Sequence, residues 1–98
     1  MSPTLSIREL AETEINEAAD FYLVENPGLG GIFLDEVQSA LGGMVDFPDA
    51  APRIRGRVRK RIMTKFPYSL VYSGRADGIK ILALAHHKRR PFYWRPRR

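Results

Sequence analysis

The sequence contains no cysteine, which excludes both a disulfide framework and a thiolate metal site. Its two histidines, His86 and His87, are adjacent, and neighbouring side chains on a strand point to opposite faces, so they cannot share a metal ion there. No apolar run approaches the roughly 18 residues that a membrane span requires, and the N-terminus lacks a signal-peptide pattern. We therefore expect a cytoplasmic protein that has no cofactor, no metal and no membrane association.

Length and composition favour one folded domain spanning residues 1–98. A chain of 98 residues buries only about 60–65% of its unfolded surface, which gives one modest core. The apolar fraction of 44%, with five Phe, four Tyr and one Trp, is sufficient for such a core. No internal repeat or low-complexity stretch suggests a different organisation.

Charge is divided sharply along the chain. Residues 1–52 contain one basic residue, Arg8, and ten acids, a balance of −9. Residues 53–98 contain fifteen Lys and Arg and one acid, Asp77, a balance of +14. Packing of the two halves against each other neutralises part of this charge but leaves an excess of bases. The pattern predicts a basic face for a polyanion or an acidic protein surface.

Hydrophobic periodicity predicts a short strand and two helices in the acidic half. Residues 4–7 alternate apolar and polar side chains. One apolar stripe at helical spacing predicts a helix over residues 10–25, and a second predicts a helix over 29–47. Asn26-Pro27-Gly28 separates them, because proline cannot continue the helical hydrogen-bond ladder. Two amphipathic helices joined by so short a turn should form an antiparallel hairpin.

The basic half predicts a loop followed by three strands. Residues 49–56 are rich in Pro, Ala and Arg, which indicates the loop. Strand patterns follow over 57–63, 68–73 and 79–87, and the last is apolar on both faces, as in a strand covered on two sides. Asp77-Gly78 supplies a hairpin turn. The fold class is therefore α+β, with the helical hairpin packed on a small antiparallel sheet in the order β-α-α-β-β-β.

An arginine ladder occupies the first of these strands and the loop before it. Its members alternate with other residues: Arg53, Arg55, Arg57, Arg59 and Arg61. A spacing of two on a strand places Arg57, Arg59 and Arg61 on one face. An edge strand kept charged against aggregation needs only one or two charges, so a longer run favours a binding surface.

A basic aromatic tail closes the chain over residues 88–98. The tail and the residue before it contribute candidate partner contacts: His87, Arg89, Arg90, Tyr93 and Trp94. Basic and aromatic side chains together suit phosphate contact with base stacking, and they suit an acidic protein partner equally well. The aromatics could instead fold back onto the core, and the composition leaves both possibilities open. We expect removal of residues 94–98 to weaken function more than folding.

These segments together resemble the ParE/RelE toxin superfamily of type II toxin–antitoxin systems. The resemblance rests on the order of elements, on the two helix patterns, and on the sequence of residues 66–72. The run of residues 83–91, followed by Tyr93-Trp94, is similar to the family's end-of-strand signature. The likeness spans nearly the whole chain and implies a toxin neutralised by an acidic, ParD-like antitoxin in a hetero-oligomer. Such antitoxins typically place acidic and apolar residues between helices and sheet.

The resemblance implies two possible targets. ParE-like members inhibit DNA gyrase by binding, and the long hairpin and the His-x-x-Arg-x-Pro tail favour this branch, in which no residue is catalytic. RelE-like members cleave mRNA on the ribosome without a metal. That alternative implies that Arg59 or Arg61, together with Arg89, holds the phosphate, and that Tyr93 stacks on or orients a nucleobase. A third hypothesis is a non-toxic nucleic-acid-binding module, which predicts salt-sensitive binding to bare DNA or RNA.

Overall fold

The computed structural model describes residues 4–95, which form two helices and five strands. In chain order these are β1 (Thr4–Ile7), α1 (Glu9–Glu25), α2 (Pro27–Asp46), β2 (Arg53–Arg55), β3 (Val58–Ile62), β4 (Tyr68–Arg75) and β5 (Gly78–His86). The α+β class and the helical hairpin are confirmed. Within residues 4–95, no helix is both long enough and apolar enough to cross a membrane.

The strands form one sheet in the order β1-β5-β4-β3-β2. The pairings of β3 with β4 and of β4 with β5 are antiparallel, as predicted, and β2 also pairs antiparallel with β3. Strand β1, however, runs parallel to β5, with Thr4 opposite Gly78 and Ile7 opposite Ile81, so the sheet is mixed. A tight turn forces antiparallel pairing, whereas β1 and β5 are distant in sequence and can pair in either direction.

The loop prediction for residues 49–56 is wrong at β2. Strand β2 pairs with β3 across a two-residue turn, and Gly56 adopts a φ of 55° there, a conformation that glycine reaches without steric cost. Three residues between a proline and a glycine are too few to show strand alternation, which is why the pattern did not reveal β2. A register shift between Arg53 and Arg55 further interrupts the alternation.

The helical hairpin is tightly packed at its turn. The Asn26 side chain accepts a hydrogen bond from Gly28 N at 3.0 Å and caps α2, while Pro27 occupies the first turn. A Cβ atom on Gly30 would lie 3.1 Å from the Leu23 backbone, so glycine permits the close approach of the two helices there.

The main core lies between the hairpin and one face of the sheet. Helix α1 contributes Ala11, Ile15, Ala18 and Ala19, and α2 contributes Phe33, Val37, Ala40 and Met44. These side chains pack on buried residues of β4 and β5, including Leu70, Tyr72 and Ile81. Burial of one such large apolar side chain stabilises a fold by about 1.5–3 kcal/mol.

A second, smaller core covers the opposite face of the sheet. Trp94 is only 7% exposed and packs with Val71 and Ala83, with Phe92 and Tyr93 alongside. Strand β5 is therefore covered on both faces, as predicted from its apolar pattern. Because the indole of Trp94 is buried here, removal of residues 94–98 should also destabilise the fold, and its larger effect on function stays a prediction. Residues 96–98 of the tail lie outside the described residues.

Gly78 fixes the approach of β1 to β5. A Cβ at this position would lie 1.9 Å from the Thr4 carbonyl oxygen, and the φ of 155° is one that L side chains rarely adopt. The Thr4 N–H donates to the Asp77 carbonyl at 2.7 Å, which closes the contact. The predicted Asp-Gly turn thus serves both the β4–β5 hairpin and the attachment of the first strand.

Candidate partner- and target-binding surfaces

The structure does not keep the arginine ladder on one face. Arg57 lies in the β2–β3 turn rather than in β3, and it lines one groove together with Arg59. The predicted strand therefore begins one residue too early, while Arg59 and Arg61 share one face as predicted. Register places Arg59 opposite Tyr72 and Arg61 opposite Leu70, on the side of the sheet that faces the helices.

Arg59 holds the loop that follows α2. Its side chain is 14% exposed and donates to the carbonyl oxygens of Asp49 at 3.0 Å and Ala51 at 2.6 Å. It also forms an ion pair with the Asp49 carboxylate at 3.3 Å. The Tyr72 hydroxyl donates to the Pro48 carbonyl beside it at 2.9 Å. Arg59 therefore holds the loop after α2 in place through contacts within the chain.

The other ladder arginines lie in separate surroundings. The Arg61 guanidinium lies against α2, where a Cβ on Gly43 would come within 2.8 Å of it. The Arg55 guanidinium lies 5.9 Å from the centroid of the Phe92 ring, on the tail side of the sheet. Arg53 and Arg57 instead line a groove with Arg59.

This groove, the arginine groove, is open and has a volume of about 910 Å³. It lies where the β2–β3 and β4–β5 turns meet the start of β1 and the loop after α2. Four arginines line it: Arg53, Arg57, Arg59 and Arg75. Sequence reasoning missed Arg75, which is distant from the ladder along the chain and reaches the groove through the sheet.

A smaller cavity of about 200 Å³ lies under the tail, and we call it the tail cavity. Its lining includes Lys60, His87, Arg89 and Tyr93. His87 Nε2 lies 3.1 Å from the hydroxyl oxygen of Ser69, which is 2% exposed. Lys60 and Ser69 are further residues that sequence reasoning missed, since nothing in the strand pattern separates them from packing positions.

Tyr93 lies in a hydrogen-bonded clasp with Glu14 and Leu84. Strand β1 ends beside Ile81, and no strand among residues 4–95 borders the β5 edge beyond it. The Leu84 N–H donates a hydrogen bond to the Glu14 carboxylate at 3.1 Å. The Tyr93 hydroxyl also donates to Glu14 and lies 3.3 Å from the Leu84 carbonyl oxygen. These two side chains, which we call the edge clasp, take the place of a strand. Sequence analysis did not single out Glu14, whose partners come from β5 and the tail.

Burial dominates the electrostatics of the edge clasp. Desolvation raises the pKa of Glu14 despite its hydrogen bonds to Tyr93 and Leu84 and the nearby Arg89. Desolvation, followed by the hydrogen bond to the Glu14 carboxylate, raises the pKa of Tyr93 well above its usual range. The Arg89 guanidinium lies 4.0 Å from the Tyr93 ring centroid, and Arg8 donates to the Trp94 carbonyl at 2.6 Å. The tail is therefore fixed at several points on α1 and β5.

The four residues assigned to mRNA cleavage are not assembled around one site. Arg59 and Arg61 lie on β3 and face the helices. Arg89 and Tyr93 belong to the tail and line the tail cavity. The two pairs therefore lie on opposite faces of the sheet. Of the predicted contacts, His87, Arg89, Arg90, Tyr93 and Trp94 line the tail cavity together.

Several exposed apolar side chains surround the turn of the helical hairpin. Phe21, Leu23 and Val24 of α1 are 57%, 51% and 85% exposed, and Ile32 and Leu34 of α2 are 47% and 45% exposed. An apolar group of this kind at one end of a small domain is a candidate protein-contact surface. It lies in the acidic half of the sequence, unlike the two basic surfaces.

These elements define a small α+β domain, in which a helical hairpin covers one face of a mixed sheet and a basic tail covers the other. Neither protein-family models nor curated proteins show a match to the sequence. A solved structure entitled "Chromosomal ParDE TA system from P. aeruginosa" contains a similar chain, with a TM-score of 0.75 and 17% sequence identity. The alignment covers 87% of this chain and 96% of that chain. At this identity the similarity establishes a shared fold.

Proposed function

We propose that this protein is the ParE-like toxin of a type II toxin–antitoxin system, and that it inhibits DNA gyrase by binding in the cytoplasm. The observation that carries the proposal is the fold shared with a chain of the P. aeruginosa ParDE system over nearly the full length of both chains. In this proposal residues 1–98 form one toxin domain, and an acidic, ParD-like antitoxin neutralises it in a hetero-oligomer.

Separation of the proposed catalytic residues supports a binding mechanism. In-line attack by a 2′-hydroxyl requires a base, an acid and cations around one phosphate. Here Arg59 is held by the Asp49 and Ala51 carbonyls, and the Tyr93 hydroxyl is held by Glu14. We therefore assign no catalytic role to Arg59, Arg61, Arg89 or Tyr93, and treat the basic residues as contacts.

A ribosome-dependent mRNA endonuclease is the second candidate, favoured by the composition of the tail cavity. His87, whose imidazole has the ring nitrogens that a general acid or base needs, lies there with Lys60 and Arg89. His87 is hydrogen-bonded to Ser69 at 3.1 Å. A cleavage centre in this protein would use these residues, and not the arginines of β3.

Induced expression in bacteria distinguishes the two targets. The gyrase proposal predicts growth arrest, loss of plasmid supercoiling and intact mRNA, whereas the endonuclease predicts cleaved mRNA before any change in plasmid topology. Phe33→Asp places a carboxylate at a fully buried position and serves as the unfolded control. Growth arrest with fragmented mRNA and normal supercoiling would contradict the gyrase proposal. Loss of that arrest in His87→Ala would then locate the centre in the tail cavity.

A further inference from the structure

The tail side of the sheet concentrates positive charge. Exposed basic residues lie on β2 and in the tail, and we call them the tail cations: Arg55, Lys88, Arg89, Arg90 and Arg95. Within residues 4–95 none of them forms an ion pair, whereas Arg59 in the arginine groove pairs with Asp49. A surface that carries several unpaired charges of one sign attracts a polyanion.

Acidic side chains offset little of this charge. Among the described residues, the lining of the tail cavity includes no Asp or Glu, whereas Asp49 and Asp77 line the arginine groove. Glu14 lies close to the tail, but its carboxylate accepts hydrogen bonds from the Leu84 N–H and the Tyr93 hydroxyl. A continuous phosphate backbone would therefore meet less repulsion on the tail side than in the arginine groove.

Guanidinium groups already lie over the aromatic rings of the tail. The Arg89 guanidinium lies 4.0 Å from the centroid of the Tyr93 ring. Two more lie near the centroid of the Phe92 ring, Arg55 at 5.9 Å and Arg95 at 5.6 Å. The indole of the tail is buried. Binding of single-stranded nucleic acid uses free ring faces on which bases stack. The tail therefore offers fixed charge without a stacking platform.

The tail cations are also held on a fixed support. Arg8 donates to the Trp94 carbonyl at 2.6 Å, and the edge clasp joins Tyr93 to α1. A ligand therefore meets charges whose backbone is already ordered, which lowers the cost of binding. A duplex keeps its bases stacked inside and presents phosphates outside, so it suits such a surface. We propose that the tail cations bind the phosphate backbone of duplex DNA without reading its sequence.

The choice of DNA rests on the proposed function, because gyrase acts on duplex DNA. A toxin bound to gyrase would also contact the DNA that the enzyme holds, and two linked contacts strengthen one complex. The affinity for bare duplex is measured without gyrase, so the two proposals can fail separately.

The test is fluorescence anisotropy of a labelled DNA duplex of mixed sequence, titrated with the purified full chain at several salt concentrations. A single strand of the same sequence is the second probe. The double variant Lys88→Gln/Arg90→Gln removes two of the tail cations. Its matched control, Arg57→Gln/Arg75→Gln, removes two exposed charges from the arginine groove. Circular dichroism melts check that both variants fold.

One phosphate contact from each tail cation predicts a slope of about −4.5 for log K against log salt concentration, or roughly a 500-fold loss of affinity between about 50 and 200 mM salt. The tail variant should reduce this slope to about −2.7, because two contacts are lost, whereas the groove variant should keep it. The natural chain should bind the duplex more tightly than the single strand.

No duplex binding at about 50 mM salt, a slope near zero, or equal losses in the two variants would overturn the proposal. Tighter binding of the single strand would overturn it as well, because that result would mean that bases stack on the tail. Duplex binding by a chain that leaves gyrase active would support this proposal and contradict gyrase as the target. Gyrase inhibition by a chain that binds no duplex would do the reverse.

Discussion

The edge clasp allows a quantitative test of how the tail is held. Glu14→Ala removes the acceptor of the Leu84 N–H and the partner of the Tyr93 hydroxyl. A buried donor left without a partner costs about 1–3 kcal/mol. For a domain of this size each 1 kcal/mol lowers the Tm by about 4–8 °C, so a loss near 2 kcal/mol predicts a fall of roughly 8–16 °C.

Thermal unfolding at neutral pH, followed by circular dichroism, measures this effect. Glu17→Ala is the matched control, because Glu17 lies on the same helix and is exposed, and its loss should change stability by less than about 0.5 kcal/mol. Tyr93→Phe and the double variant Glu14→Ala/Tyr93→Phe complete a double-mutant cycle. We expect a coupling energy of about 1 kcal/mol between Glu14 and Tyr93. Equal Tm values for Glu14→Ala and Glu17→Ala would refute the clasp.

The pH dependence of Glu14 follows from the direction of its pKa shift. Burial raises the pKa of Glu14 above 4.5, so the folded state retains this proton to higher pH than the unfolded chain. The stabilisation from the protonated form is complete below pH 4.5 and is lost as pH rises through the folded pKa. We therefore expect the free energy of unfolding of the natural chain, measured relative to Glu14→Gln, to decrease as the pH rises from 4.5 through the folded pKa of Glu14. A constant difference, or one of opposite sign, would contradict the raised pKa.

Three further substitutions test other parts of the structure by urea unfolding. Trp94→Ala should cost about 3–5 kcal/mol, because the indole is buried, and a loss below 1 kcal/mol would contradict a core role. Gly78→Ala should destabilise the fold markedly, because the added Cβ would clash with Thr4. Gly74→Ala is the control, because an added Cβ there meets nothing within 4 Å. Similar losses of stability in the two variants would contradict this packing. Arg59→Ala should cost about 1.5–3 kcal/mol and increase amide exchange in the loop after α2, and unchanged exchange would contradict its structural role.

The helices and the long strands were predictable because their patterns are local. The apolar stripe of α1 and the Asn26-Pro27 boundary depend on residues a few positions apart, and the structure reproduces them within two residues. The two-sided burial of β5 followed equally from its continuous apolar run. Such features depend on side-chain periodicity, which the sequence displays directly.

Features that depend on distant pairings were not predictable. The direction of β1 depends on its contact with Gly78, more than seventy positions away, and β2 is defined by its pairing with β3 and not by its own three residues. The same pairing decides that Arg57 lies in the turn and not in β3. Likewise, Glu14 resembles any exposed helix acid until β5 and the tail are placed beside it.

The supercoiling activity of gyrase, measured in the presence of the purified protein, directly tests whether gyrase is the target. The folded chain, free of antitoxin, is titrated against gyrase and relaxed plasmid, with Phe33→Asp as the unfolded control. If the protein inhibits gyrase by binding, inhibition should depend on dose, cleaved DNA should be trapped on the enzyme, and the control should have no effect. Undiminished supercoiling in the presence of a folded protein that arrests growth would contradict gyrase as the target.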